Sequence, residues 1–170
     1  MSKIAILGCF LFLASASAGT TSDTFQVSAV ITSGCEFGTT QASSSGNFGT
    51  ISFGTMTAIG NNVEVASSVG AGSIVVTCTP GTAITLSLDY GIHGGTAAQR
   101  YLSNGSSVLG YQLYRDAAYS NVWGSGSLAY SVSSFPQSTQ TYTIYGRLFS
   151  MSSLPNKGTY TDTITVTLVY

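Results

Sequence analysis

Apolar and polar residues alternate with a period of two through much of this 170-residue chain. Near the front, Phe25, Val27, Ala29 and Ile31 alternate with Thr24, Gln26, Ser28, Val30 and Thr32. Near the back, Tyr160, Ile164, Val166, Leu168 and Tyr170 alternate with threonines. Successive side chains of a strand point to opposite faces, so this spacing predicts half-buried β-strands. Strands are expected over 24–32, 49–53, 73–79, 82–89, 108–115, 141–149 and 159–170, with weaker ones near 63–66, 99–102 and 127–132. No segment keeps the spacing of an amphipathic helix. Asn104-Gly105 predicts a hairpin turn, Pro155-Asn156-Lys157-Gly158 a turn feeding the last strand, and 40–47 a polar loop. Short strands separated by turns point to a single all-β domain, a sandwich with a barrel as the alternative. The two alternating end segments add something. A strand next to a leader has little of its own domain ahead of it, and a core strand at the end has no further strand behind it. Together they suggest a subunit that lends one strand and borrows another.

Residues 1–18 read as a secretory signal peptide. Lys3 supplies the basic region, 4–13 the apolar stretch, and Ala16-Ser17-Ala18 the small residues for cleavage before Gly19, with Ala14-Ser15-Ala16 as a second cut. A bilayer needs about 20 apolar residues to span it, and this run is shorter. Cys9 follows Leu7-Gly8 as in a lipoprotein signal, but the apolar run continues past it. The mature chain is therefore expected to be exported, with no membrane span.

Charge narrows the partners. Charged residues are 6% of the chain, against roughly 25% in ordinary domains. With Lys3 in the leader, four basic residues face six acidic ones, about −2. Nucleic-acid binding through a basic patch is thereby disfavoured, and a hydrophobic share of 44% argues against disorder. Of the three cysteines, Cys9 lies in the leader, which leaves Cys35 and Cys78. An even pair in an oxidising compartment predicts a disulfide. A zinc site would need more ligands than one histidine allows.

Catalytic chemistry finds little support. His93 lies in the glycine-rich loop Gly91-Ile92-His93-Gly94-Gly95, and no Gly-x-Ser-x-Gly elbow exists. The acids Asp23, Glu36, Glu64, Asp89, Asp116 and Asp162 are scattered singly, whereas glycoside hydrolysis needs two facing one cleft. The glycine-rich stretches read as turns, not phosphate loops, and Asn104-Gly105-Ser106 is a short glycosylation-type pattern. Arg115-Asp116 ends an aromatic strand and reads as a surface ion pair of little weight. Tyr111, Tyr114, Tyr119 and Trp123 could form a sugar-binding face, but sheet packing is the stronger reading, because Tyr favours strands. The chain is expected to be no enzyme, with no cofactor and no metal.

Four segments carry a family resemblance. The run from Tyr111 through Leu113-Tyr114-Arg115-Asp116 to Trp123-Gly124 resembles the Y-x-L/V-Y-x-D segment of the spore coat protein U domain, shared by subunits of archaic (Csu-type) chaperone–usher pili. Ile31-Thr32-Ser33-Gly34-Cys35 resembles the family's approach to its first cysteine, and Phe48-Gly49-Thr50-Ile51-Ser52-Phe53-Gly54 its F-G-x-[IL]-x-F-G segment. The run Gly158-Thr159-Tyr160-Thr161-Asp162-Thr163-Ile164-Thr165-Val166-Thr167-Leu168 is similar to its closing pattern. Cys35 and Cys78 sit where the family has its disulfide.

The resemblance implies an incomplete immunoglobulin-like β-sandwich, completed by donor-strand complementation. It divides the chain into a signal peptide (1–18), an extension holding the donor strand and the start of the first strand (19–33), and a pilin-type domain (34–170). Phe25, Val27, Ala29 and Ile31 would be the donor residues, and Tyr160, Ile164, Val166, Leu168 and Tyr170 would lie on the acceptor groove and chaperone-contacting strand. The implied partners are a periplasmic chaperone, an outer-membrane usher and neighbouring subunits. The implied role is a structural subunit of a surface fibre for adhesion and biofilm formation. A cell or spore coat protein and a carbohydrate-binding adhesin subunit are the alternatives.

Overall fold

A computed structural model of the chain describes residues 24–38, 47–137, 139–153 and 155–170. The expected leader and most of the expected 40–47 loop lie outside the described residues. The chain divides into two units, residues 1–31 and 32–170. In the first unit, residues 24–31 are exposed and form no strand. The strand expected over 24–32 is thus absent, although its alternation is intact. A segment with no neighbouring strand cannot close a ladder, however regular its alternation.

The second unit contains ten strands among the described residues: β1 (Cys35–Phe37), β2 (Val63–Ala66), β3 (Ile74–Cys78), β4 (Ile84–Leu88), β5 (Arg100–Ser103), β6 (Val108–Tyr114), β7 (Tyr130–Val132), β8 (Gln140–Tyr142), β9 (Tyr145–Leu148) and β10 (Val166–Val169). All pairings are antiparallel, in the orders β2-β9-β6-β5, β1-β3-β8 and β10-β4-β7. The two three-stranded rows are halves of one layer. Ile74 faces Tyr142 across β3 and β8, and Ile84 faces Val132 across β4 and β7, so one register runs through both. Pro80 has no N–H to donate and interrupts the ribbon. The Gly81 amide donating to the Phe135 carbonyl at 2.9 Å, and the Phe135 amide to Thr82 at 2.8 Å, carry it across the break.

This layer faces the four-stranded sheet over one core. Ile74, Val76, Leu86 and Leu88 are wholly buried from one side, and Leu109, Tyr111, Leu113 and Leu148 come from the other. Cys35 and Cys78 stand opposite each other in the β1–β3 register and are bonded, with Cα atoms 4.1 Å apart. Closing a loop of this length stabilises the fold by about 4 kcal/mol in the chain-entropy model.

Several expected strands are shorter than the sequence predicts, for physical reasons. The 141–149 strand breaks into β8 and β9, because the chain changes layer there. Ile144 turns into the core at the break, where its amide donates to Ser67 Oγ at 2.7 Å and its carbonyl accepts from the Ser67 amide at 2.8 Å. Of 159–170, only Val166–Val169 forms a strand. Thr161 first bridges Ser103 on the four-stranded sheet, and Thr165 then accepts from the Asp89 amide at 3.0 Å, so this segment also crosses between layers. Residues 49–53 hold a single bridge, Gly49 to Ala71, and 127–132 starts in a 3-10 turn before β7. The first strand is Cys35–Phe37, not 24–32. Asn104-Gly105 does turn β5 into β6, with Asn104 Oδ1 accepting from the Ser106 and Ser107 amides.

Candidate functional site

A cleft in the second unit follows from the incomplete edge of the sandwich. β1 and β10 both lie at the outer edge of their rows, on the same flank of the β3–β4 ribbon. Next to this flank opens a cleft of about 660 Å³. Its lining is largely apolar: Phe37 from β1, Phe48, Ile51 and Phe53 from the segment before β2, Leu102 from β5, Tyr111 and Leu113 from β6, Ile144, and Ile164 and Val166 from the last crossing.

Local contacts hold this lining in place. Phe37 meets Phe48 edge-on at 5.2 Å, and Phe53 meets Tyr111 at 6.1 Å. Gly72 has φ +94°, and a Cβ there would stand 2.2 Å from Ile51 Cγ1, so glycine lets Ile51 lie against the cleft. Asp162 anchors the crossing segment. Its Oδ2 accepts from the Tyr111 hydroxyl at 2.6 Å and its Oδ1 from the Ile92 amide at 2.9 Å. At Gly91, φ +80°, a Cβ would stand 2.0 Å from that same carboxylate. Burial, and then the bond to Asp162, push the Tyr111 hydroxyl far above its ordinary pKa, so it stays a donor.

The predicted site residues divide into three groups. Ile164 and Val166 line the cleft. Tyr160 and Leu168 are half-buried against the core, and the Tyr160 hydroxyl donates to the Asn156 carbonyl at 2.8 Å. Tyr170, 62% exposed, lies outside the cleft lining. Phe25, Val27, Ala29 and Ile31 are all exposed, Phe25 by 88%. Of the four aromatics weighed as a sugar face, Tyr111, Tyr114 and Trp123 are buried and Tyr119 is half-buried. His93 is half-buried in a turn. Among the described residues, no three His, Cys, Asp or Glu side chains come together as a metal cluster, and no helix is long and apolar enough to cross a membrane.

One supporting residue escaped the sequence reading, and a second plays a different part from the one expected. Arg100 is wholly buried; its Nε and Nη2 donate to the Asp89 carbonyl at 3.0 and 2.6 Å, its Nη2 to the Trp123 carbonyl at 2.8 Å, and its Nη1 to Gln112 Oε1. Burial lowers its pKa. It ties β4, β5, β6 and the Trp123 segment behind the cleft. Asp116 is not paired with Arg115 as expected. Its carboxylate accepts from the amides of Ala118, Ser120 and Asn121, and so shapes the loop after β6.

The sequence matches the family described as Spore Coat Protein U domain over residues 21–167. Among solved structures, a chain of the chaperone–tip adhesion subunit pre-assembly complex from the archaic chaperone–usher Csu pili of Acinetobacter baumannii shares its fold. The TM-score is 0.51 at 23% identity, covering 82% of this chain and 40% of that one. This chain thus spans less than half the length of that solved chain. No protein of curated function matches the sequence.

Proposed function

The chain belongs to the Spore Coat Protein U domain family, and from that premise we propose that it is a structural subunit of an archaic chaperone–usher pilus, polymerising by donor-strand exchange. The observation that carries the reading is the apolar cleft beside two open strand edges, in a chain that also carries an exposed alternating segment of its own. A strand laid beside an open edge satisfies its row of N–H and C=O groups and sends alternate side chains into the core. In this reading Phe25, Val27, Ala29 and Ile31 of one subunit enter the cleft of the next, each large one contributing about 1.5–3 kcal/mol by burial. A slip of one residue would turn the apolar set outward, so alternation fixes the register. β1 starts only at Cys35, and residues 24–31 form no strand.

Residues 1–18 then direct export, a periplasmic chaperone covers the cleft before assembly, and an outer-membrane usher exchanges it for the neighbour's extension. The product is a surface fibre serving attachment and biofilm formation, and the chain performs no catalysis. Deleting residues 19–28 tests the assignment. The expected product is a folded, chaperone-bound subunit that cannot polymerise; fibres of normal length from that deletion would reject it.

A further inference from the structure

A second, smaller pocket opens where the chain leaves β8 for β9, with a volume of about 250 Å³. Arg115, Tyr130, Thr141, Tyr142, Thr143 and Tyr145 bound it. It lies on the β7–β8 side of the β3–β4 ribbon, away from the open β1 and β10 edges.

Arg115 sets its chemistry. Its sequence neighbour Asp116 is taken up by the loop amides, and the one ion pair among the described residues is Arg147 with Glu64. The Arg115 Nη1 reaches the Ala129 carbonyl at a long 3.3 Å, while its buried Nε has no acceptor among the described residues. The Nε is closed off from solvent, but Nη2 makes no hydrogen bond among the described residues and Nη1 only the long one, so the Nη1–Nη2 end of the guanidinium is the part left to meet a carboxylate. Its Cζ lies 5.9 Å from the Tyr130 ring. The Tyr130 and Tyr142 rings, 5.5 Å apart at 62°, give apolar faces, and the Thr141 and Thr143 hydroxyls both donate and accept. Ligand pockets usually run to about 300–1,000 Å³, so this one suits a single ring.

From the uncompensated cation, the flat apolar faces and the paired hydroxyls, we propose that this pocket binds an acidic sugar, a uronic acid unit of a polysaccharide. The proposal does not depend on what fills the cleft across the ribbon.

Titration calorimetry on the purified chain with glucuronate, glucose and acetate tests it. Glucuronate is expected to bind about tenfold or more tightly than either glucose, which lacks the carboxylate, or acetate, which lacks the ring. Thr141→Glu, at an exposed strand position, should keep the melting temperature and abolish glucuronate binding by repulsion. Arg115→Gln should reduce glucuronate to the level of glucose, and Arg115→Lys should retain part of the preference. Absence of glucuronate binding, equal binding of glucuronate and glucose, equal binding of acetate, or undiminished binding by Thr141→Glu would each overturn the proposal. The Thr141→Glu result decides the matter if Arg115→Gln does not fold.

Discussion

Residues 24–31 and 160–168 carry the same alternation of apolar and polar side chains, yet Ile31 is 86% exposed while Ile164 and Val166 are half-buried beside a cleft. The difference lies in hydrogen-bonding partners. The later segment has β4 alongside, with Val166 opposite Leu88 and Leu168 opposite Leu86. The earlier one forms no ladder in the single chain. β4 shows the completed case: it lies between β10 and β7, Leu86 is paired on both sides, and Ile84, Leu86 and Leu88 are buried. Alternation thus encodes fitness to be a strand, and the available edge decides whether a strand forms.

The sharpest way to break this comparison is to spoil the early segment alone. Phe25→Asp with Val27→Asp should abolish fibre growth, seen by electron microscopy, and leave the melting temperature of the single chain unchanged, because both side chains are exposed there. A drop in that melting temperature would mean that the segment already serves its own fold. A smaller effect separates the flanked strand from the half-open one. Leu86→Ala should cost about 2–5 kcal/mol in urea unfolding of the single chain, and Ile164→Ala clearly less, because its site is incompletely covered. Equal losses would show that the cleft side is already packed like the core.

The smallest effect concerns acid. Desolvation works against ionisation of Asp116, but the Asn121 and Ser120 amides and side chains outweigh it and hold its carboxyl at about 2. A depressed carboxyl stabilises the fold above its unfolded pKa of about 3.9, and that contribution fades as the pH falls towards the folded value. Asp116→Asn should flatten the fall in melting temperature between about pH 4 and pH 2. An acid limb that keeps its slope would place the sensitivity elsewhere.

The flanked strands were legible from spacing. β3, β4 and β6, each paired on both sides by its own chain, fall within a residue or two of the stretches read from alternation, and the edge strands β2 and β5 lie as close to the weaker stretches at 63–66 and 99–102. Spacing misled where the chain changes layer. Alternation runs on through Tyr142-Thr143-Ile144, where nothing local marks the crossing, whereas in the last run Asp162 stands in an apolar phase position and is the one local mark. Arg100 and Gln112 were invisible for another reason: each reads as an outward polar position, and only the fold brings them together in the interior. A lone arginine inside a strand, in a chain with so few charges, was the signal available. The cleft was legible only in part. The family resemblance pointed to Ile164 and Val166, which do line the cleft, whereas Ile51, Phe53 and Leu102 arrive from loops and strands far apart in sequence.

The most direct measurement is to titrate a synthetic peptide of residues 24–32 into a chain lacking its own residues 1–28 and to follow melting temperature and the amide spectrum of β10. The account predicts saturable binding that raises the melting temperature and shifts the amides of 162–169, with no effect from a peptide bearing Asp at positions 25 and 27. A shortened chain that ignores the peptide, with no rise in melting temperature and no shift of those amides, would contradict it.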